Sequence, residues 1–270
     1  MISTREIKRK IKTIRNIQQI CRAMKTVSLV KLQKTEVRLT AARPYAERMG
    51  RTLASLLAST GADFSGPDAA KAVIVITSDK GLCGGYNASV LRRANREIDS
   101  QPVVPIGKKA ERALRRRGNP VIDELPMLGS EPTLAQIAPL ADRLAKRIQN
   151  GEIAELTAVY GNFLRGTRSE IVAHEVFPIR GEAVGDVLLE PGGPEMTQLL
   201  IGRYMRAALY LLALESSASE HGARVAAMSA ASDNAEEMIS SLTMDYNRAR
   251  QATITRELTE IVGSAEALSG

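Results

Sequence analysis

The chain has 270 residues, a net charge of +7, no Trp, three Phe and only six Tyr. So much apolar aliphatic content with so few aromatics fits helix packed on helix better than an all-β fold, and the positive charge suits an acidic partner surface of protein, nucleic acid or anionic lipid without choosing among them. Two cysteines and two histidines at unrelated spacings argue against a disulfide framework or a Cys/His zinc site.

Residues 1–43 contain neither Pro nor Gly. Ser3 or Thr4 can cap a helix, with Glu6 in its first turn. Ile7, Ile11, Ile14, Ile17, Cys21, Met24 and Val27 recur at steps of three or four and predict a narrow helical stripe. The remaining faces are basic, with eleven Lys or Arg against Glu6 and Glu36 over residues 1–38. Two readings of that charge stand open: a solvated helix, or a charged shaft passing through acidic surroundings. Pro44 predicts a kink or the end of the straight part, and the pattern resumes at Met49, Leu53, Leu56 and Leu57.

Residues 61–68 (GADFSGPD) break the pattern. Beyond them AVIVIT at 72–77 is a β-branched run of the kind buried on both faces of a sheet. A helix follows over 87–98, a short strand over 103–106, a very basic helix over 108–117 and a strand over 121–125. Pro132 marks the start of a helix to about Gln149. Strands over 153–160 and 170–179 flank a turn at Arg165 and Gly166. Strand–helix alternation ending in a strand pair predicts an α/β domain with a mostly parallel sheet. Residues 181–194 form a Gly/Pro-rich linker.

No proline follows Pro194, so nothing forbids one helix of roughly 100 Å to the end of the sequence. Met228, Ala231, Ala235, Met238, Leu242, Ala249 and Ala252 trace a second narrow stripe, a coiled-coil seam needing a partner helix. The expected fold is α/β with long helices: N- and C-terminal helices in an antiparallel coiled coil, with a Rossmann-like α/β domain inserted between them. The segments are 1–60, 61–194 and 195–270. The most apolar run, 199–214, contains Arg203 and Arg206 and reads as a buried helix rather than a membrane span.

Chemistry is sparse. The loop SDKGLCGGYN at 78–87 sits between a strand and a helix, where a doubly wound fold binds phosphate, but it fits neither established glycine pattern. A tight turn is the preferred reading, and Cys83 within it an inert thiol. The cluster Lys108, Lys109, Arg112, Arg115, Arg116 and Arg117 lacks the interleaved aromatics of nucleic-acid binders. Its readings are a solvated face or contact with an acidic protein or lipid head groups. Two other classes are weighed against a structural one: a nucleotide-binding α/β protein and a basic coiled-coil nucleic-acid binder. Near the C-terminus, Arg248, Arg250, Gln251, Thr255, Arg256, Glu257 and Glu260 need water or an enclosing protein. The apolar edge of Ile254, Leu258, Ile261 and Val262 favours enclosure.

Three stretches, in this order and spacing, resemble one family: IKRKIKTIRNIQQICRAMK at 7–25, ITSDKGLCGGYN at 76–87, and MSAASDNAEEMI with YNRARQATITRELTEIVGSAEAL after Met228. The chain is similar, nearly end to end, to the gamma subunits of F-type ATP synthases. The resemblance implies a non-catalytic rotor shaft that couples rotation of the c-ring to the alpha/beta hexamer, with no cofactor. Its partners would be the alpha and beta subunits, the epsilon subunit and the c-ring, with no nucleic acid. It would lie peripherally on the cytoplasmic face of a bacterial membrane, as part of the complex. Met24 and Lys25 match the contact with the beta-subunit lever loop. Arg250, Gln251, Thr255 and Glu257 match a polar catch against alpha and beta loops, and Arg224 lies near the same contacts. Cys21 stands where the family is often polar, and the stretches at 61–71 and after Ile98 look short. The inserted cysteine pair of plastid members is missing, so thiol control is not expected.

Overall fold

The computed structural model describes residues 4–61, 64, 66, 69–180 and 193–269, with side chains described except at 193, 194 and 265–269. The predicted linker therefore lies outside the described residues apart from its last two, which open the final helix. The elements are α1 (Thr4–Thr60), β1 (Ala70–Ile76), α2 (Tyr86–Glu97), β2 (Val103–Ile106), α3 (Lys108–Arg116), α4 (Leu134–Gln149), β3 (Ile153–Arg165), β4 (Arg168–Phe177) and α5 (Gly193–Ser269). They fall into two compact units, Met1–Thr26 with Ala227–Gly270, and Val27–Ala226. Both long helices contribute to each unit.

In the larger unit the sheet order is β2-β1-β3-β4, parallel except for the antiparallel β3–β4 hairpin. Alternate residues of β1 serve opposite cores. Ala72, Ile74 and Ile76 pack with α4 and with Ile201, Tyr204, Met205 and Leu209 of α5. Val73 and Val75 pack with Val90 and Ala94 of α2 and with Ala110 and Leu114 of α3. That double burial is why the strand reads as an unbroken apolar run. At Gly107 (φ +90°) a Cβ would lie 2.2 Å from the Thr77 carbonyl oxygen, so glycine lets β2 turn into α3 directly over β1.

α1 continues through Pro44 to Thr60, and two other predictions change in detail. The proline is exposed, so water can take the carbonyl it leaves unbonded. The strand expected over 121–125 is reduced to two bridges, Val103 with Val121 and Ile106 with Leu125. Pro105 of β2 has no N–H to offer a continuous ladder. The helix expected from Pro132 begins at Leu134, because Thr133 and Gln136 form a capping box.

The stripes also shift. In the smaller unit, Ile7, Ile11, Ile14, Gln18, Cys21 and Lys25 of α1 are buried or half-buried at a strict heptad spacing, with Thr4 and Met24 half-buried beside them. Ile17, expected in the seam, is 49% exposed. The facing α5 positions are Met228, Ser232, Ala235, Ile239 and Leu242, while Met238 is turned outward and Ala252 is exposed. The two helices run antiparallel here. Gln18 Nε2 donates to the Ser232 carbonyl at 3.3 Å, and Lys25 Nζ donates to Ser229 Oγ at 3.0 Å. In the larger unit the heptad continues through Ser28, Leu32, Thr35 and Leu39, and Val27 is exposed. There Leu32 and Leu39 pack on Leu214 and Ala218, and Arg43 pairs with the buried Glu215 at 2.8 Å.

Candidate partner interface on the long helices

Every residue of α5 from Arg250 to Ser264 is exposed. Within the smaller unit, higher residue numbers on α1 pair with lower ones on α5, and this stretch lies past the described residues of α1 in that pairing. Arg250, Gln251, Thr255 and Glu257 all lie on it, with no side-chain hydrogen bond to α1 among the described residues. Thr259 and Thr253 instead back-bond to carbonyls four residues earlier in their own helix. Ile254, Leu258, Ile261 and Val262 lie at 42–62% exposure on the same stretch. Polar groups with unused donors therefore alternate with uncovered apolar ones.

Met24 and Lys25 are half-buried. The ammonium of Lys25 is tied to Ser229, while Ile17 and Ile20 face outward at 49% and 59% exposure. The sequence pattern assigned Ile17 and Met24 to one inward seam, and of the two only Ile17 is exposed. The heptad from Ile7 through Gln18 to Lys25 would have separated the two faces, had polar residues been allowed in the seam.

Arg224 sits in the larger unit and is 8% exposed. Its guanidinium is engaged within the chain, with the Glu220 carboxylate at 2.5 Å, the Gly81 carbonyl at 3.2 Å and His221 Nδ1 at 3.3 Å. His221 Nε2 lies 3.0 Å from the Ser130 carbonyl, which can only accept, so Nε2 carries the proton and Nδ1 accepts from Arg224. Burial lowers the His221 pKa, and the nearby charges of Arg224 and Lys31 add to this against the Ser130 hydrogen bond. Burial likewise pushes the Glu220 carboxyl up, despite Arg224 beside it. Lys31 of α1 reaches the same loop, donating to Ser130 Oγ at 2.7 Å. Arg224 thus fastens α5 to the loop at 78–87 and, through His221, to the loop at Ser130.

That glycine-bearing loop is filled by its own side chains. Asp79 accepts the backbone N–H of Lys108 (3.1 Å), Leu128 (3.3 Å) and Gly129 (2.8 Å), and Thr77 Oγ1 accepts that of Ala110 (2.7 Å). The first amides of α3 are thus occupied by protein oxygens, and at α2, which follows the loop, the Tyr86 N–H donates to the Cys83 carbonyl at 3.3 Å. Ser78 and Asn87 bridge the loop's ends. Cys83 is 1% exposed beneath it.

A second clasp was not anticipated from the sequence. Gly161 of β3 lets α5 and α2 approach so closely that a Cβ there would meet Tyr86 Cε2 at 2.7 Å and Ser219 Cβ at 2.8 Å. Ser219 Oγ donates to the Gly161 carbonyl at 2.8 Å, and the Tyr86 hydroxyl lies 2.7 Å from Ser216 Oγ. The signal was the run ESSASEHGAR at 215–224, whose small residues allow a helix to sit directly on backbone.

Two long helices that bracket an α/β unit, pair antiparallel and leave one helix end uncovered define a stalk-type protein built for contact with other chains. A family model described as ATP synthase matches residues 3–268. The ATP synthase gamma chains of Moorella thermoacetica and Desulfitobacterium hafniense are 36% and 37% identical over 281 residues, covering 99% of this chain and all of each relative. The chain belongs to the ATP synthase gamma-chain family. Among solved structures, a chain of the Euglena gracilis mitochondrial ATP synthase OSCP/F1/c-ring assembly has a TM-score of 0.72 at 20% identity, covering 98% of this chain and 94% of that one. A chain of the Tetrahymena thermophila central stalk/c-ring structure has a TM-score of 0.64 at 24% identity, covering 79% and 99%. These two likenesses concern the fold.

Proposed function

We propose that this chain is the central rotor shaft of a proton- or sodium-driven F-type ATP synthase. Its partners on this reading are the alpha and beta subunits, the epsilon subunit and the c-ring. Family membership supports this, and the single structural observation that carries it is the fully exposed end of α5. A helix end that exposes both polar groups and uncovered apolar side chains is suited to a protein sleeve. Met24 and Lys25 would meet a beta-subunit loop, while Arg250, Gln251, Thr255 and Glu257 would engage alpha and beta loops. Arg224 acts from behind, holding α5 to the body of the chain, because its guanidinium is turned inward. Among the described residues no helix is long and apolar enough to cross a membrane. Attachment at the cytoplasmic face of a bacterial membrane would therefore come through the complex.

The mechanism follows from asymmetry. A pair of helices has no three-fold symmetry, so it cannot present the same surface to three alpha–beta pairs at once. Whichever beta conformation it contacts best is favoured, and turning the shaft moves that preference to the next site. Contact energy that differs between conformations is then exchanged with nucleotide affinity, reciprocally. Chemistry stays on the partner subunits, and this chain supplies only the differential contact.

The test is ATP hydrolysis by purified alpha and beta subunits with and without this chain. Sustained stimulation, with one copy co-eluting per three alpha–beta pairs, is expected. No association and no stimulation would overturn the reading. The double change Arg250→Ala with Gln251→Ala should lower that stimulation while leaving the chain's own melting unchanged. Full coupled activity in that variant would remove the catch assignment.

A further inference from the structure

The helices α2 and α3 lie side by side on one sheet face, anchored by Val90 and Ala94 and by Ala110 and Leu114. Opposite those anchors each helix carries two exposed arginines one turn apart, Arg92 with Arg96 and Arg112 with Arg116. None of the four makes an ion pair among the described residues. The flanking charges do. Arg93 pairs with Glu97 at 2.8 Å, and Arg115 with Glu111 at 3.5 Å and Glu124 at 2.5 Å. The carboxylates of both helices are thus spent on their flanks, and the two outward ridges stay uncompensated. Like charges at i and i+4 destabilise a helix by a few tenths of a kcal/mol per pair. The helix dipole accounts for Arg96 and Arg116 in the last turns, but not for Arg92 and Arg112 in the middle.

We infer that these paired ridges are a docking surface for an acidic helix of another protein, one presenting carboxylates at i and i+4. All four ridge cations are arginines, whose planar forks match carboxylates bidentately, whereas a purely electrostatic surface would be served equally by lysine. Apart from these, α2 exposes only Ala88 and Asn95, and α3 only Arg115. Neither helix exposes an aromatic side chain to stack on bases nor a large apolar one to enter a bilayer. The ridges lie on the α/β unit and use none of the groups assigned to the rotor contacts, so this inference stands or falls separately from the rotor reading.

The test uses the full chain and a labelled helical peptide of about 20 residues with Glu at every fourth position in an Ala background. Fluorescence anisotropy at about 50 mM salt reports binding. Saturable binding is expected, with an affinity loss of about tenfold or more when all four arginines become glutamine. The four-lysine variant, which keeps the charge, should lose about threefold or more. The glutamine variant should melt no lower than the parent, since like-charge repulsion is relieved. Several outcomes would each overturn the inference: no saturable binding, undiminished binding by the glutamine or the lysine variant, a large loss of stability in the glutamine variant, or equal binding of a Gln-for-Glu peptide. Tighter arginine-dependent binding of duplex DNA or phosphatidylserine vesicles than of the peptide would overturn it in favour of a phosphate-bearing partner.

Discussion

At the residue scale, the most consequential groups are those that fix α5 in the larger unit. His221 is 1% exposed, and its neutral form is the one that accepts from Arg224 while donating to Ser130. Its folded pKa lies below the ordinary value of about 6.5, so the unfolded chain binds more protons in the window beneath that value. The associated stability is complete above pH 6.5 or so and is lost as pH falls below it. Melting temperature should therefore drop between about pH 7.5 and pH 5.5, and His221→Gln should flatten that part of the profile. Equal slopes for the two proteins would show that His221 does not govern it. Gly161→Ala is expected to cost about 2–4 kcal/mol, measured by denaturant unfolding, because both Tyr86 and Ser219 stand where the methyl must go. Neither role was legible in the sequence. A lone histidine and a strand glycine acquire meaning only when a helix distant in sequence is laid across them.

At the scale of the element, the long helices were legible as helices and misread as faces. Apolar spacing put Ile17 and Val27 inward, whereas the heptad that is buried places Gln18 and Ser28 there. Stripes displaced by one residue differ by only 100° of rotation, and the apolar count alone cannot separate them. What decides is the partner helix, whose small residues around Ser232 and Ala235 admit a polar side chain into the seam. Gln18 donates to a carbonyl already within α5, so its loss strands no buried acceptor. Gln18→Leu should then raise stability by roughly 1 kcal/mol, seen as a higher melting temperature. A lower one would mean that the polar seam is itself a source of stability. The basic helix α3 was legible to within one residue. That a matching pair of exposed arginines would lie on the neighbouring α2 was not, since residues 98–107 separate the two helices.

On the scale of the molecule, the exposed end of α5 sets the expectation for assembly. Ile254 and Leu258 are 42% and 58% exposed, so Ile254→Asp with Leu258→Asp should change the chain's own stability by no more than about 0.5 kcal/mol. The same pair should reduce stimulation of the alpha–beta ATPase, because a sleeve that covers them must desolvate two new carboxylates. An unaltered ATPase would show that this edge faces water in the complex.

The sequence by itself determined the order of elements, helix, α/β unit, helix, and it did so because those signals are local. Absence of Pro and Gly, β-branched runs and capping residues act within a few turns of chain. It also determined the family, since three separated stretches keep their spacing. Only the tertiary structure decided which face of each long helix is inward, that Arg224 is a fastener turned inside, and that the glycine loop is closed by Asp79 and Thr77. These depend on groups far apart in the chain, Gln18 and Ser232 by 214 residues and Gly81 and Arg224 by 143. Burial and hydrogen bonding at that range are properties of packing, which no local pattern encodes.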